Sequence, residues 1–333
     1  MTSAPATLSL PTASPELAAR LQEGLAAVDA LMRSEIDHDD PFVAQASAHL
    51  ADAGGKRFRP LLTLLTAELG TGLNDQVVAA AAGVELTHLA SLYHDDVMDE
   101  ADVRRGAPSA NSRWGNSIAI LVGDFLFARA SDLLADLGPH AVRVQARTFE
   151  RLVTGQIHET VGPVAGVNPI EHYLTVLADK TGSLIATAAE FGAYFAGAAP
   201  EVIAQLRRFG EQIGVAFQLS DDIIDIASDS TESGKTPGTD LREGVATLPT
   251  LYTLLSTDPE SAELRELVSR PLSDDAEHSR ALIALRSSAG LEQARVTLLD
   301  YVASARELLT ELPDVPARAA LEALTQTVIA RTG

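Results

Sequence analysis

Two short acidic clusters in this chain have the same shape, Asp95-Asp96-Val97-Met98-Asp99 and Asp221-Asp222-Ile223-Ile224-Asp225. Each adjoins a long apolar stretch with helical periodicity, Val77 to Tyr93 and Val202 to Leu219. At about 100° per residue, Asp95 and Asp99 lie one turn apart on a single stripe, as do Asp221 and Asp225. Like charges stacked in this way repel, and a divalent cation offsets the repulsion. Mg²⁺ suits the pattern because it prefers carboxylate oxygen, keeps several waters and completes its shell with substrate phosphates. One such cluster alone could equally be a solvated helix end. Two of identical spacing, with the basic residues grouped elsewhere, weaken that alternative.

The basic residues gather in a few places. Gly54-Gly55-Lys56-Arg57-Phe58-Arg59-Pro60 sets three cations within four residues behind two glycines that let the backbone approach a ligand. This reads as a phosphate cradle, with an ordinary basic helix–helix loop as the bland alternative. Arg104-Arg105-Gly106-Ala107-Pro108 forms a second basic loop, whose arginines could serve either a diphosphate or the neighbouring carboxylates as counter-ions. His88 falls within about 20° of the Asp95 stripe, two turns earlier, although a lone helical histidine is more often a satisfied core residue. Gln218 precedes Asp221 by three residues, on the same face. Asp179-Lys180-Thr181-Gly182-Ser183 interrupts an apolar helix, and its glycine suggests a kink facing a ligand. Ser228 to Glu243, which contains Gly234-Lys235-Thr236-Pro237-Gly238, reads as a mobile lid carrying a cation.

The elements that must position these groups are helices. Helical periodicity runs from about Pro15 to Ile329 with no linker-like break, which predicts an all-α bundle in one domain (15–333) behind a disordered Ser/Thr/Pro-rich tail (1–14). Among the 333 residues, 46% are hydrophobic and only 5% aromatic, a composition that suits close helix packing. A net charge of −21 argues against a nucleic-acid surface or simple attraction to anionic lipid. No apolar run approaches the roughly 18 residues that would suggest a membrane span, so the expectation is a soluble cytoplasmic protein. There is no cysteine, hence no thiol chemistry.

In order, Gly54 to Pro60, His88 with His94 to Asp99, Arg104-Arg105-Gly106, Lys180-Thr181-Gly182 and Phe217-Gln218 to Asp225 resemble the trans-isoprenyl diphosphate synthases, or polyprenyl synthetases. The resemblance implies antiparallel helices around a central cavity, a homodimer, and condensation of an allylic diphosphate with isopentenyl diphosphate. It implies that Asp95, Asp96, Asp99, Asp221, Asp222 and Asp225 surround Mg²⁺, with Asp95, Asp99 and Asp221 as direct ligands. Arg104, Lys180, Thr181, Gln218 and Lys235 then hold the allylic diphosphate, and Lys56, Arg59, His88 and Arg105 hold isopentenyl diphosphate. After Asp240-Leu241-Arg242-Glu243-Gly244, many relatives carry a lysine where this chain has Val245, which removes a second lid cation.

The same resemblance makes Ala90 and Ser91 the cavity floor. Both are small, so the tunnel is expected to continue past Thr87 and Gly83 and the product to reach hexaprenyl to decaprenyl length, as in quinone side chains. Geranylgeranyl is the runner-up. A class I terpene cyclase would not need the Lys56, Arg59 and Arg105 group, and a non-catalytic partner subunit should have lost site residues that this chain keeps. Membrane contact is expected at most peripherally, for product release.

Overall fold

Side-chain caps written into the sequence begin many of the helices. In the computed structural model, which describes residues 14–227 and 237–331, Ser14 accepts from the Leu17 amide at 3.2 Å, and Pro15 opens helix α1 (Pro15–Ile36). Asp40 and Asn74 do the same for α2 (Pro41–Asp52) and α4 (Asp75–Met98). Between them, α3 (Phe58–Ala67) starts two residues before Pro60, which sits in the first turn where a missing N–H costs no hydrogen bond. The segment 104–108, expected as a loop, is a minimal hairpin of β1 (Val103–Arg104) and β2 (Ala107–Pro108). Its two-residue turn has positive φ at both Arg105 (55°) and Gly106 (77°), the geometry that matches strand twist.

The other helices are α5 (Ala110–Trp114), α6 (Asn116–Asp136), α7 (Pro139–Val161), α8 (Pro169–Leu177), α9 (Ser183–Phe195) and α10 (Pro200–Ala227). They are followed by α11 (Thr239–Glu243), α12 (Leu248–Leu255), α13 (Ala262–Val268), α14 (Asp275–Arg286), α15 (Ala289–Thr310) and α16 (Pro316–Ala330). The all-α expectation holds, and residues 1–13 of the proposed tail and Lys235 lie outside the described residues. Among the described residues no helix is long and apolar enough to cross a membrane.

The chain forms two compact units. The first comprises Met1–Glu150, Leu184–Gly210 and Leu312–Ala323. Its central element is α4, buried on nearly all sides from Val77 to Tyr93 and packed against α1, α3 and α6. Small residues make those contacts close: a Cβ on Gly83 would sit 2.8 Å from the Leu134 side chain, and one on Gly123 would sit 2.3 Å from His94 Nε2. On α1, Leu17, Leu21, Leu25, Val28, Met32 and Ile36 form the buried stripe, each contributing about 1.5–3 kcal/mol of apolar burial. The buried Tyr93 hydroxyl donates to Ala46 O at 2.6 Å, tying α4 to α2.

The second unit comprises Arg151–Ser183, Glu211–Glu311 and Leu324–Gly333. In it α12 packs against α15 and α8. A π-helical turn, Ala178–Gly182, follows α8 and inserts one residue into the helical register. Gly182 does not face an open ligand space: a Cβ there would sit 3.3 Å from Glu211 O, so the glycine lets the turn lie against α10.

Candidate active site

In the first unit, the Gly54–Pro60 segment needs left-handed backbone at Gly54 (φ 90°) and Arg57 (φ 49°). A side chain at Gly55 would meet the Arg105 guanidinium at 2.9 Å. Arg105 fills that space and donates to Leu50 O at 3.0 Å and to Gly54 O, bracing the loop. The three cations of the segment have different fates. Arg57 is buried and donates to Asp29 at 2.9 Å and to Glu85 at 3.2 Å, so it is a structural residue. Lys56 is exposed. Arg59 is half-buried, its Nε has no hydrogen-bond partner, and burial pushes its pKa down to about 10, so it remains charged at neutral pH.

His88, on α4, is held well below its ordinary pKa by burial and then by Arg59, Arg105, Arg104 and Arg57. A neutral imidazole among several guanidinium groups marks a concentration of positive charge fit for a multiply charged anion. The acidic cluster ends the same helix. Asp96 is fully buried, Arg104 Nε donates to its Oδ1 at 2.5 Å, and burial raises its pKa. Asp99 is exposed, with Arg104 Nη2 at 3.7 Å, and Asp95 is half-buried. The middle carboxylate therefore points inward while the first and third keep access to solvent.

The second unit repeats this division. Asp222 is buried, receives a hydrogen bond from the Tyr173 hydroxyl on one oxygen and from Gln218 Nε2 at 3.0 Å on the other, and burial raises its pKa to about 6. Asp221 pairs with Arg331, whose guanidinium lies 4.6 Å over the Phe217 ring. The carboxylate of Asp225 accepts from the Thr239 and Asp240 amides at 3.4 and 3.3 Å, capping α11. Lys180, in the π-turn, is 2.5 Å from Glu159. Arg151 holds that turn through Asp179 at 2.7 Å and Glu211 at 2.5 Å. Thr181 lies in the same turn, and Val245 is 44% exposed beyond α11.

Among the described residues no group of three or more His, Asp or Glu side chains converges as a ready metal cage. The solvent-accessible Asp95 and Asp99 fit an ion that fills its shell with waters and diphosphate oxygens, whereas the half-buried Asp221 and Asp225 already accept from Arg331 and from the Thr239 and Asp240 amides. Tyr173, Arg331, Glu159 and Arg151 escaped the sequence reading. A signal existed for Tyr173, which precedes Lys180 by two helical turns.

Thr87 and Gly83, expected to line a continuing tunnel, are covered. Gln145 Nε2 donates to Thr87 Oγ1 at 2.7 Å, Thr87 Oγ1 donates to Gly83 O at 2.8 Å, and Leu134 fills the space over Gly83. A cavity of about 250 Å³ lies alongside instead, lined by Phe127, Ser131, Leu134, Gln145 and Phe149 from α6 and α7.

The family model for polyprenyl synthetase matches residues 40–285. This chain belongs to the polyprenyl synthetase family. It is 53% identical over 317 residues to a nonaprenyl diphosphate synthase of Mycobacterium tuberculosis, covering 95% of both chains. A geranylgeranyl pyrophosphate synthase from Corynebacterium glutamicum, solved with calcium and isoprenyl diphosphate, superposes with a TM-score of 0.87 at 47% identity, over 96% of this chain and 98% of that one. A decaprenyl diphosphate synthase from Rhodobacter capsulatus gives a TM-score of 0.87 at 34% identity, over 96% and 99%.

Proposed function

We propose that this polyprenyl synthetase is a Mg²⁺-dependent trans-prenyltransferase that extends an allylic diphosphate with isopentenyl diphosphate to a long all-trans product of hexaprenyl to decaprenyl length. The observation that carries the reading is the charge arrangement around α4. Arg59, with an unpartnered Nε, and Arg105 surround a neutral His88, two turns before a cluster whose Asp95 and Asp99 remain accessible. A cyclase that binds one diphosphate would not need the Lys56, Arg59 and Arg105 group.

Asp95, Asp99, Asp221 and Asp225 would hold Mg²⁺, which supplies stabilisation for the negative charge of departing pyrophosphate. Arg104, Lys180, Thr181, Gln218 and Lys235 orient the allylic diphosphate so that its C–O bond breaks with the electron pair leaving on oxygen. Lys56, Arg59, His88 and Arg105 hold isopentenyl diphosphate so that its double bond attacks the allylic cation. The new C–C bond leaves a tertiary cation, which loses a proton to the released pyrophosphate. No side chain need act as the base, and the reaction requires a site closed to the water that would quench the cation.

The length assignment leans on small Ala90 and Ser91 and on likeness to the nonaprenyl synthase. Geranylgeranyl is the second reading, favoured by Gln145 and Leu134 over the lower stripe of α4. A homodimer is supported by apolar surface on α6, where Leu121 is 61% and Ile120 42% exposed. Incubating the purified chain with Mg²⁺, farnesyl diphosphate and isopentenyl diphosphate tests the reading. Elongated diphosphates are expected. Cyclised hydrocarbon would make it a terpene cyclase, and no turnover without a second protein would make it a partner subunit.

A further inference from the structure

Asp222 is placed differently from its two neighbours in the cluster. It is 7% exposed where Asp221 and Asp225 are half-buried, and its oxygens accept from two side chains, the Tyr173 hydroxyl and Gln218 Nε2, whereas those of Asp225 accept from backbone amides. Tyr173 comes from α8, 49 residues earlier. Asp221 and Asp225 share one stripe of α10, whereas Asp222 is rotated by about 100° toward the buried side. The first cluster has the same arrangement with a different donor, since Arg104 holds a fully buried Asp96.

We propose that Tyr173 is a positioning residue: it anchors Asp222 away from the metal, so that α10 presents Asp221 and Asp225 as the carboxylates that bind it. This rests on the prenyltransferase reading above. A neutral hydroxyl adds no charge to the site, so it acts through geometry alone. Without it, one buried oxygen of Asp222 loses its donor, and the carboxylate is free to turn toward solvent or metal.

The test is Mn²⁺ retention, followed by loss of the free-ion paramagnetic resonance signal, with the protein saturated by a farnesyl phosphonate analogue that cannot ionise. Tyr173→Phe is expected to weaken Mn²⁺ binding by about 10-fold, in the lower part of the range for outer partners of metal ligands. Asp221→Asn is expected to lose about 100-fold or more, Asp222→Asn no more than about 10-fold, and Tyr173→Phe/Asp222→Asn no more than the worse single variant. Wild-type Mn²⁺ affinity in Tyr173→Phe overturns the proposal. So does an Asp222→Asn loss equal to that of Asp221→Asn, a comparison that needs no tyrosine variant to fold. If the wild-type protein retains no Mn²⁺ beyond that bound by the analogue alone, the prenyltransferase reading fails instead.

Discussion

Replacing Ala90 with phenylalanine puts a ring one turn below Asp95 on α4, where the proposed tail leaves its diphosphate. From Ser91 to Gly83 the helix rises about 12 Å, and this stretch ends where Leu134 covers Gly83. Each isoprene unit adds five carbons, so burying one contributes about 4 kcal/mol at 0.8 kcal/mol per carbon. A tail that cannot pass the ring forgoes that amount for every unit below it, close to a thousandfold at 1.4 kcal/mol per factor of ten. Ala90 is fully buried, and Gly123 lies against its carbonyl, so repacking costs about 1–3 kcal/mol of stability, which a folded variant can tolerate. Ala90→Phe should therefore end synthesis at geranylgeranyl length or shorter while turnover persists. The assay is mass spectrometry of the diphosphates formed from farnesyl and isopentenyl diphosphate. An unchanged product distribution in an active variant refutes the floor assignment.

Other perturbations separate binding from scaffold. Arg57→Ala leaves Glu85, 2% exposed, without its partner and should cost about 3–5 kcal/mol in urea unfolding. Arg59→Ala should leave stability near wild type while raising the KM for isopentenyl diphosphate, and the reverse pattern would exchange the two roles. Gly192→Ala drives a Cβ to 2.0 Å from Thr63 O and should destabilise by about 3 kcal/mol or more, read in the same unfolding experiment. His88 has a folded pKa depressed by burial and by Arg59. The unfolded chain therefore takes up the proton first, and the stability linked to neutral His88 is complete above about pH 6.5 and falls as pH drops toward the folded value. Histidine NMR should find it neutral at pH 6.5. A midpoint near 6.5 would contradict the crowding by arginine.

The helices were legible because their signals are local. Ser14-Pro15 and the Leu17 to Ile36 spacing set both ends of α1, and the acidic stripes follow from helical periodicity alone. The division of labour within each motif was not legible. Arg57 and Arg59 stand two residues apart in the same basic run, and only Asp29 and Glu85, brought in from α1 and α4, make one structural and leave the Nε of the other without a hydrogen-bond partner. Tyr173 and Arg331 lie 49 and 110 residues from the aspartates they hold, beyond any short motif. The cover over Thr87 and Gly83 likewise depends on α6 and α7, whose register against α4 no spacing rule supplies. The hairpin at Arg105-Gly106 was within reach, since a residue followed by glycine between two short extended pairs is a turn signal.

The central claim is that the two acidic clusters serve one metal-dependent ionisation. Its most direct measurement is the rate of chain elongation by Asp95→Ala and Asp221→Ala, assayed side by side with saturating Mg²⁺, farnesyl diphosphate and isopentenyl diphosphate. Both variants should lose on the order of 10³-fold or more in kcat. A rate within tenfold of wild type in either variant would contradict it.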